Sequence, residues 1–371
     1  HNYYNLMKNL YISKGLYPKS YFSLSAAYIA SVQLPSGAIP WFEHGLLDPW
    51  DHIEAAMGLS IAGRRHEARL AYSWAREHQL PDGSFWPAYA DGTALDTTRK
   101  ESHHAAYLAT GIWHDFLIHK ERDFLKRMWP SVEAGIEFTL SLQSPGGEIA
   151  WTRLADGSVY PDALITGCSS IYKSLECAVC IARELGLDKP DWLEARRRLG
   201  ETIRNRTDRF DRTWPSKARY SMDWFYPVLA GVCLGSAARA RLSGQWELFV
   251  RPHLGCCCVA DEPWVTVAES CELVMALVGA GEYSKAAHIF SWLHHNRDHS
   301  GAYWTGYQID CNCYWPAERP TWTAGAVLLA ADALARVTPA AELFTSVSFP
   351  EEEMDDALEQ GKRQGLLRAH S

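Results

Sequence analysis

The chain has 371 residues, a length that a helical barrel can arrange around one core. Its 36 Lys and Arg are outnumbered by 44 Asp and Glu, and the formal net charge of −8, without a basic block, excludes a nucleic-acid or anionic-membrane partner. No apolar run reaches the ~18 to 20 residues of a bilayer span, so no transmembrane segment is expected. Aromatic residues are abundant, with 16 Trp and 17 Tyr, which suits a binding cleft.

A turn signal recurs six times along the chain, each time after a long stretch of helical periodicity. A Pro-x-Gly turn followed by an aromatic residue predicts a short hairpin that reverses the chain. The copies occupy residues 33–37, 79–83, 143–147, 210–214, 254–255 and 298–301 and lead to Trp41, Trp86, Trp151, Trp214, Trp264 and Trp304.

Between the turns, the apolar residues follow a helical spacing. Mostly apolar segments predict buried inner helices, and the more charged segments that follow them predict outer helices. The predicted inner helices are 50–62, 104–116, 166–185, 226–242, 264–279 and 321–335, and the predicted outer helices include 64–78, 122–142, 191–209 and 282–294. The segment 21–32 precedes the first turn and is expected to pack beside the last inner helix, which closes a ring.

The sequence therefore predicts an all-α fold, an (α/α)6 toroid of six helical hairpins, as a single domain over residues 1–336. Residues 337–371 are expected to form an acidic tail that packs outside or is partly flexible. An open α-solenoid of helical pairs is the alternative. The long connections from turn to inner helix, rich in Trp, Tyr and Asp, favour the toroid, because loops of this kind at one rim of a scaffold carry function.

The first rim loop leads into the helix 50–62 and holds carboxylates at helical spacing. Asp48 precedes Pro49 and is expected to cap this helix. Asp51 and Glu54 are three residues apart and therefore lie on one face of it. Each acid has a structural interpretation, a cap for Asp48 and a helix-dipole partner for Asp51, beside the functional one.

Further candidates follow in the later rim loops. Asp223 stands between Met222 and Trp224, so its carboxylate is either hydrogen-bonded structurally or positioned for chemistry. Glu269 lies in an otherwise apolar helix, where acids are rarely unpaired. The predicted substrate-binding residues are Trp41, Asp48, Trp50, Lys100, Glu101, His103, Trp224, Tyr226, Trp264, Trp304, Tyr307 and Trp322.

Trp and Tyr side chains around acids from separate loops are what sugar stacking and acid/base cleavage of a glycosidic bond require. We therefore predict an enzyme that acts on a carbohydrate or glycolipid. Asp223 is the predicted general acid, because its aromatic neighbours raise its pKa, and Glu269 is the predicted base. Asp51 is the third predicted catalytic carboxylate. Two alternatives stay open: Glu269 pairs structurally with Lys100 or a rim His, and the toroid binds glycans without catalysis.

Two resemblances to known families bear on this interpretation. Residues 129–138 are similar to the catalytic toroid of glucoamylase-like glycoside hydrolases. Residues 47–57, 109–114, 220–227, 263–266 and 320–324 resemble bacterial toroid proteins labelled prenyltransferase or squalene-cyclase-like, and this second resemblance covers nearly the whole chain. It implies the same toroid and, as an alternative function, chemistry on an isoprenoid. The chain departs from that family's pattern at residues 100–103 and 255–258, so the family's substrate does not carry over.

The motifs that isoprenoid chemistry requires are absent from the rim loops. No Asp-x-Asp-Asp run lies there, and paired Asp-Asp-x-x-Asp motifs for magnesium diphosphate are missing. Cys256, Cys258, Cys311 and Cys313 offer four thiolates to a zinc ion, but their C-x-C spacing favours chance clustering, and no metal is predicted. No cofactor is expected either, because no phosphate loop or dinucleotide fingerprint appears. Without a signal-peptide pattern, a cytoplasmic location is expected. The substrate is the expected partner, and the oligomeric state stays open.

Overall fold

A computed structural model describes residues 10–349, so most of the predicted acidic tail, residues 350–371, lies outside the described residues. Within them, six inner helices alternate with outer helices, which confirms the predicted (α/α)6 toroid. The inner helices are α2 (Pro49–Ile61), α4 (Ser102–His119), α6 (Ile165–Glu184), α8 (Ser221–Leu229), α11 (Val267–Gly279) and α13 (Thr321–Ala335). The outer helices are α1 (Lys19–Val32), α3 (Arg65–His78), α5 (Arg122–Leu140), α7 (Pro190–Asn205), α9 (Gly235–Gly244) with the short α10 (Trp246–Phe249), and α12 (Tyr283–Ser291).

The inner helices form a closed ring, because each packs on the next and α13 packs on α2. Small residues permit this close approach: a Cβ atom added at Gly325 of α13 would lie 2.8 Å from the backbone oxygen of Glu54 in α2. Helix α1 covers α13 from outside, as expected for the missing outer helix. Its Ser25 hydroxyl donates to the carbonyl of Gly301 at 2.8 Å, which ties the start of the chain to the last turn.

The recurring turn docks each hairpin against the next one. In the second copy, the Gln79 amide donates to the carbonyls of Gly83 and Ser131, both at 2.9 Å. Gly83 has a φ of +91°, and a Cβ atom there would overlap the carbonyl of Ala134 in α5. Gln33 and Gln143 make the same pair of bonds in their own copies, to the turn carbonyl and to the outer helix.

One predicted element is wrong: residues 226–242 do not form a single inner helix. The inner α8 ends at Leu229, and the outer α9 begins at Gly235. The carbonyl of Pro227 accepts the N–H groups of Val232 and Cys233, and Gly231 takes a φ of +81°. These contacts reverse the chain, which apolar periodicity alone does not reveal.

Short strands link the rim loops into small antiparallel sheets. They are β1 (Ala88–Ala90) with β2 (Thr93–Asp96), β3 (Arg99–Glu101) with β4 (Thr152–Leu154), β5 (Val250–Arg251) with β6 (Gly255–Cys256), and β7 (Trp264–Thr266) with β8 (Gly306–Gln308) and β9 (Cys313–Tyr314). Residues 264–266 therefore form a strand, although the sequence predicted helix there. Bridges between Leu47 and Tyr89, and between Tyr220 and Val259, join further neighbouring loops. The N–H of Thr321 bonds to the carbonyl of Trp41 and completes the circle. All six rim loops consequently open on one face, at the N-terminal ends of the inner helices.

The segment that follows α13 packs across the opposite face. Leu343 and Phe344 are buried in the core. The buried Lys173 of α6 donates to the carbonyls of Leu343 and Ser346, each at 2.9 Å, and pairs with Glu176. Residues 337–349 therefore cover the base of the ring, while the rim carries the loops with the candidate residues. No helix within residues 10–349 is long and apolar enough to cross a membrane.

Candidate active site

Five carboxylates from two inner helices meet in the pore of the toroid. Helix α2 contributes Asp48, Asp51 and Glu54 from its first turns, and α11 contributes Glu269 and Glu272. Helix α13 separates α2 from α11 in the ring, so the two groups approach each other across the pore. The charge of Glu269 acts on both Asp51 and Glu54, which places the groups close together. We call these residues the pore carboxylates.

Asp48 caps α2, as the sequence predicted. Its Oδ1 accepts the N–H of Asp51 at 3.0 Å, and Pro49 occupies the first helical position. Its Oδ2 lies 3.4 Å from Nε2 of the buried His104. These contacts fix the start of α2 and hence the direction of the side chains that follow.

The surroundings of Asp51 favour its protonated form. Burial raises its pKa well above the ordinary value, and the nearby charges of Asp48, Glu54 and Glu269 raise it further, against the opposing effect of a hydrogen bond from Trp41. The Trp41 Nε1–H donates to Oδ2 of Asp51 at 2.8 Å and fixes that oxygen. A positioned, protonated carboxyl is what a general acid requires at neutral pH.

Glu269 differs from Asp51 in its hydrogen-bond partners, although both side chains are half-buried. Glu269 lies in the first turn of α11. The Cys258 thiol donates to its Oε1 at 3.5 Å, and its Oε2 has no hydrogen-bond partner among the described residues. Lys100 pairs instead with Asp82 at 2.9 Å, so the alternative in which Glu269 pairs with Lys100 is wrong.

A deeper layer of the pore consists of acids and aromatic rings. Burial, and next the charge of Glu269, raise the pKa of Glu54 to about 8, although the indole N–H of Trp50 opposes this by bonding to it. Burial and the charges of Glu54 and Glu269 raise the pKa of Glu272 well above its usual value, and Tyr226 bonds to this group. Glu54 is therefore mostly protonated at pH 7, and the surroundings of Glu272 favour its protonated form. A protonated carboxyl group can donate a hydrogen bond to a sugar hydroxyl group.

Trp50 and Tyr107 form the wall beside these acids. Their rings stack with centroids 3.9 Å apart and planes 3° from parallel. Tyr226 lies 6.1 Å from Trp50, also by centroid. The structure thus places Trp50 and Tyr226 in the pore, where the sequence expected substrate-binding residues.

Asp223 lies at the rim, one helical turn before Tyr226 on α8. It lines a cavity of about 460 Å³ together with Glu101, His103, Trp151, Trp214, Lys217, Tyr220, Met222, Leu164 and Thr166. We call this cavity the side pocket.

Burial, and next the charge of Asp211, raise the pKa of Asp223 to about 6, while the charge of Arg241 lowers this pKa. The pKa is raised as predicted, but the charges that act on Asp223 are those of Asp211 and Arg241, not that of Glu269. Its role as general acid stays a prediction.

Two predicted substrate-binding residues point away from the site. Trp224 is buried, stacks on Phe249 with centroids 5.1 Å apart, and donates its indole N–H to the carbonyl of Arg241 in α9. It fills the space between inner and outer helices, because its helical position faces outward. Lys100 alternates with Glu101 along β3 and therefore points to the other face, toward Asp82.

The remaining predicted aromatic residues belong to the first, fifth and sixth rim loops. Trp41 and Trp322 meet edge to face at 6.3 Å between centroids. Trp304 stacks on Tyr314 at 5.6 Å, and the Tyr307 hydroxyl donates to Asn312 at 2.5 Å. Trp264 donates its indole N–H to the carbonyl of Trp315. Trp315 is 53% exposed and was not among the predicted substrate-binding residues.

The four cysteines considered as zinc ligands do not act as one set. Cys311 and Cys313 form a disulfide with each other, and Cys256 is buried. Within residues 10–349, one group of three potential metal ligands has donor atoms within 4.8 Å of one another, namely Glu101, His103 and His104. Glu101 also accepts the indole N–H of Trp151 at 3.0 Å.

Sequence reasoning did not select several residues of the site. Glu54 and Glu272 were visible as acids in apolar helices, where burial predicts a special role. Trp151 and Trp214 follow the third and fourth turn copies, so their position in the repeat was already a signal. Tyr107 had no signal, because an aromatic residue in an inner helix is indistinguishable from a core residue.

No family model matches the chain. The MMP endo-(1,4)-3-O-methyl-alpha-D-mannosidase of Mycolicibacterium hassiacum is 48% identical over 326 residues, which are 88% of this chain and 89% of that protein. A wild-type glycosidase structure matches with a TM-score of 0.66 at 15% identity, over 86% of this chain and 99% of its own. The GH63 mannosylglycerate hydrolase of Thermus thermophilus, in complex with glucose, matches with a TM-score of 0.64 at 13% identity, over 83% and 99% of the two chains.

At these identities, the structural matches establish the fold alone. The sequence relative supports the glycoside hydrolase branch of the two resemblances. The prenyltransferase and squalene-cyclase-like label is not supported, in agreement with the missing diphosphate and Asp-rich motifs.

Proposed function

We propose that this chain, which belongs to the family of the MMP endo-(1,4)-3-O-methyl-alpha-D-mannosidase, hydrolyses internal α-(1,4) linkages between 3-O-methylmannosyl residues. The chain is a glycoside hydrolase that acts on carbohydrate, as 48% identity over 88% of its length to that mannosidase establishes. The particular substrate and the catalytic roles are our proposal.

The observation that carries the proposal is that Asp51 and Glu269 lie close enough for the charge of Glu269 to act on Asp51. Asp51 is half-buried, its surroundings favour its protonated form, and Trp41 fixes it. Glu269 is half-buried and has one oxygen without a partner among the described residues. One carboxyl that keeps a proton and one that accepts a proton from water are the two groups that cleavage with inversion requires.

In the proposed mechanism, Asp51 donates its proton to the glycosidic oxygen while the bond from that oxygen to the anomeric carbon breaks. Glu269 takes a proton from a water molecule, whose oxygen attacks the anomeric carbon from the opposite face. The products are two shorter saccharides, and the new reducing end has the β configuration. Glu54 and Glu272, in their protonated forms, donate hydrogen bonds to hydroxyl groups of the ring bound deepest in the pore.

We assign the acid to Asp51 rather than to Asp223, and three variants distinguish the two. Asp51→Asn and Glu269→Gln should each lower kcat on an α-(1,4)-linked 3-O-methylmannose oligosaccharide by a factor of about 10² to 10⁴, with little change in melting temperature. Asp223→Asn should keep at least about a tenth of the wild-type kcat, because a group that only binds substrate contributes less. Proton NMR of the first product should show the β anomer.

Two results would overturn this proposal separately. If the wild-type protein leaves the methylated oligosaccharide intact, the proposed substrate is wrong. If it cleaves the oligosaccharide and Asp51→Asn retains full kcat while Asp223→Asn loses it, the substrate stands and Asp223 is the acid, as the sequence first predicted.

A further inference from the structure

We infer that the side pocket is a binding subsite for a 3-O-methylated mannosyl residue next to the cleaved bond, and this inference rests on the proposed function. Its volume of about 460 Å³ lies in the range of small-molecule sites. The lining combines the aromatic faces of Trp151 and Trp214 with Met222 and with a few polar groups. An apolar wall with few polar groups is the usual composition of a specific binding site.

The two indole rings are fixed before any ligand arrives. Trp151 donates its N–H to Oε1 of Glu101 at 3.0 Å, and Trp214 donates its N–H to Oδ1 of Asp211 at 2.6 Å. Tyr160 stacks on Trp214 with centroids 5.4 Å apart and planes 21° from parallel. Because carboxylates hold both N–H groups, the two rings have fixed orientations, and binding loses little side-chain entropy.

The polar groups of the side pocket suit a sugar that is only partly hydroxylated. Asp223 and Lys217 offer hydrogen bonds to hydroxyl groups on one edge of a ring. A methyl ether cannot donate a hydrogen bond, and its carbon requires an apolar contact. Met222, directly before Asp223 in the chain, provides a polarizable surface of that kind next to the polar group.

The side pocket adjoins the pore. His103 lines the side pocket and packs against Trp50 of the pore wall with ring centroids 5.4 Å apart. Burial, and next the charge of His104, lower the pKa of His103 to about 3, so the imidazole at this junction is uncharged. A neutral saccharide chain can therefore run from the pore carboxylates onto the side pocket. A second subsite at the rim is also what cleavage inside a chain requires.

The experiment compares two oligosaccharides of equal length, an α-(1,4)-linked 3-O-methylmannose oligomer and its unmethylated counterpart. Trp214→Ala should lower kcat/KM on the methylated oligomer about ten- to hundredfold, the usual cost of removing a central aromatic contact. Met222→Gln should lower the ratio of the two kcat/KM values by about tenfold, the discrimination that one methyl group in an apolar pocket provides. Trp214→Phe keeps a ring in place and should lose less than Trp214→Ala.

Trp246→Ala is the matched control. Trp214 is half-buried, with the Lys217 ammonium 5.2 Å from its ring centroid. Trp246 is likewise half-buried, with the Lys285 ammonium at 5.2 Å, but it lies on the outer α10. This variant should keep both kcat/KM values and their ratio.

The inference is wrong if Trp214→Ala and Met222→Gln keep the wild-type values and the wild-type ratio. If the wild-type protein cleaves neither oligomer, the proposed function fails instead. Calorimetric titration with the methylated oligomer then decides on the subsite: Trp214→Ala should weaken binding at least tenfold, and unchanged binding overturns the inference.

Discussion

Environment, not residue type, separates the carboxyl groups in the pore. Glu54 and Glu272 are buried, Asp51 is half-buried beside them, and each ionised neighbour raises the pKa of the next. Glu269 is half-buried, like Asp51, and belongs to the same cluster. Burial and like charges together favour the protonated form of an acid in a site of this kind.

The pKa of Glu54 leads to a prediction about stability. Its pKa rises from 4.5 to about 8 on folding, so between these pH values the folded protein binds more protons than the unfolded chain. The free energy of unfolding therefore falls as the pH rises through that window. Glu54→Gln removes the titration and keeps an acceptor for the Trp50 N–H. Relative to wild type, the variant should gain on the order of 3 kcal/mol more at pH 8 than at pH 5.

Urea unfolding at the two pH values measures this gain. The control is Glu77→Gln, an exposed glutamate on the outer α3, which should change the free energy of unfolding equally at both pH values. If Glu54→Gln changes the free energy of unfolding by the same amount at both pH values, Glu54 does not take up a proton on folding.

Single residues were predicted correctly where the chemistry is local. Asp48 as the cap of α2 follows from the Asp-Pro pair and its position before an apolar helix. The direction of Trp224 does not follow from its neighbours, because α8 is apolar on both sides. In such a helix, the sequence alone does not distinguish the face that meets the pore from the face that meets the outer helix.

At the scale of elements, the recurring turn carried most of the information. The Gln side-chain amide of the turn bonds to the next outer helix. The Gly has no side chain, so the backbone of the turn can contact the backbone of that helix. The split between α8 and α9 was missed because that reversal uses Pro227 and Gly231 inside an apolar stretch and no copy of the turn.

The docking of the turn predicts the effect of Gly83→Ala. The substitution adds a Cβ atom at a φ of +91° and against the carbonyl of Ala134, so it combines backbone strain with an overlap. Gly63→Ala is the matched control, since Gly63 has a φ of +79° and no heavy atom within 4 Å of an added Cβ. Gly63→Ala should cost about 1 kcal/mol and Gly83→Ala at least about 2 kcal/mol more in chemical unfolding. If both variants lose the same free energy of unfolding, the turn does not pack closely against α5.

For the whole molecule, the closure of the ring was predicted from the number of inner and outer helices in the sequence. The last inner helix has no outer helix after it, and the helix before the first turn has no inner helix before it. Each was expected to be the partner of the other, and α1 does pack on α13. The path of residues 337–349 across the base was not foreseen, because the acidic segment that follows them dominated the prediction for the end of the chain. Closure at both ends of the chain implies that the six hairpins unfold as one unit.

Gly301→Ala tests that cooperativity. Gly301 has a φ of +89°, and an added Cβ atom would overlap the backbone of Leu24 in α1, so the substitution weakens the contact that closes the ring. Helix α6 lies on the opposite side of the ring from α13 and touches none of these residues. If the ring unfolds as one unit, a loss of about 2 kcal/mol accelerates exchange of the slowest amide hydrogens in α6 by at least about tenfold. Gly157→Ala, with a φ of +88° and no heavy atom within 4 Å of an added Cβ, should leave α6 nearly unchanged in the same mass-spectrometric measurement. Acceleration confined to α1 and α13 would instead show that the hairpins open independently, as in an open solenoid.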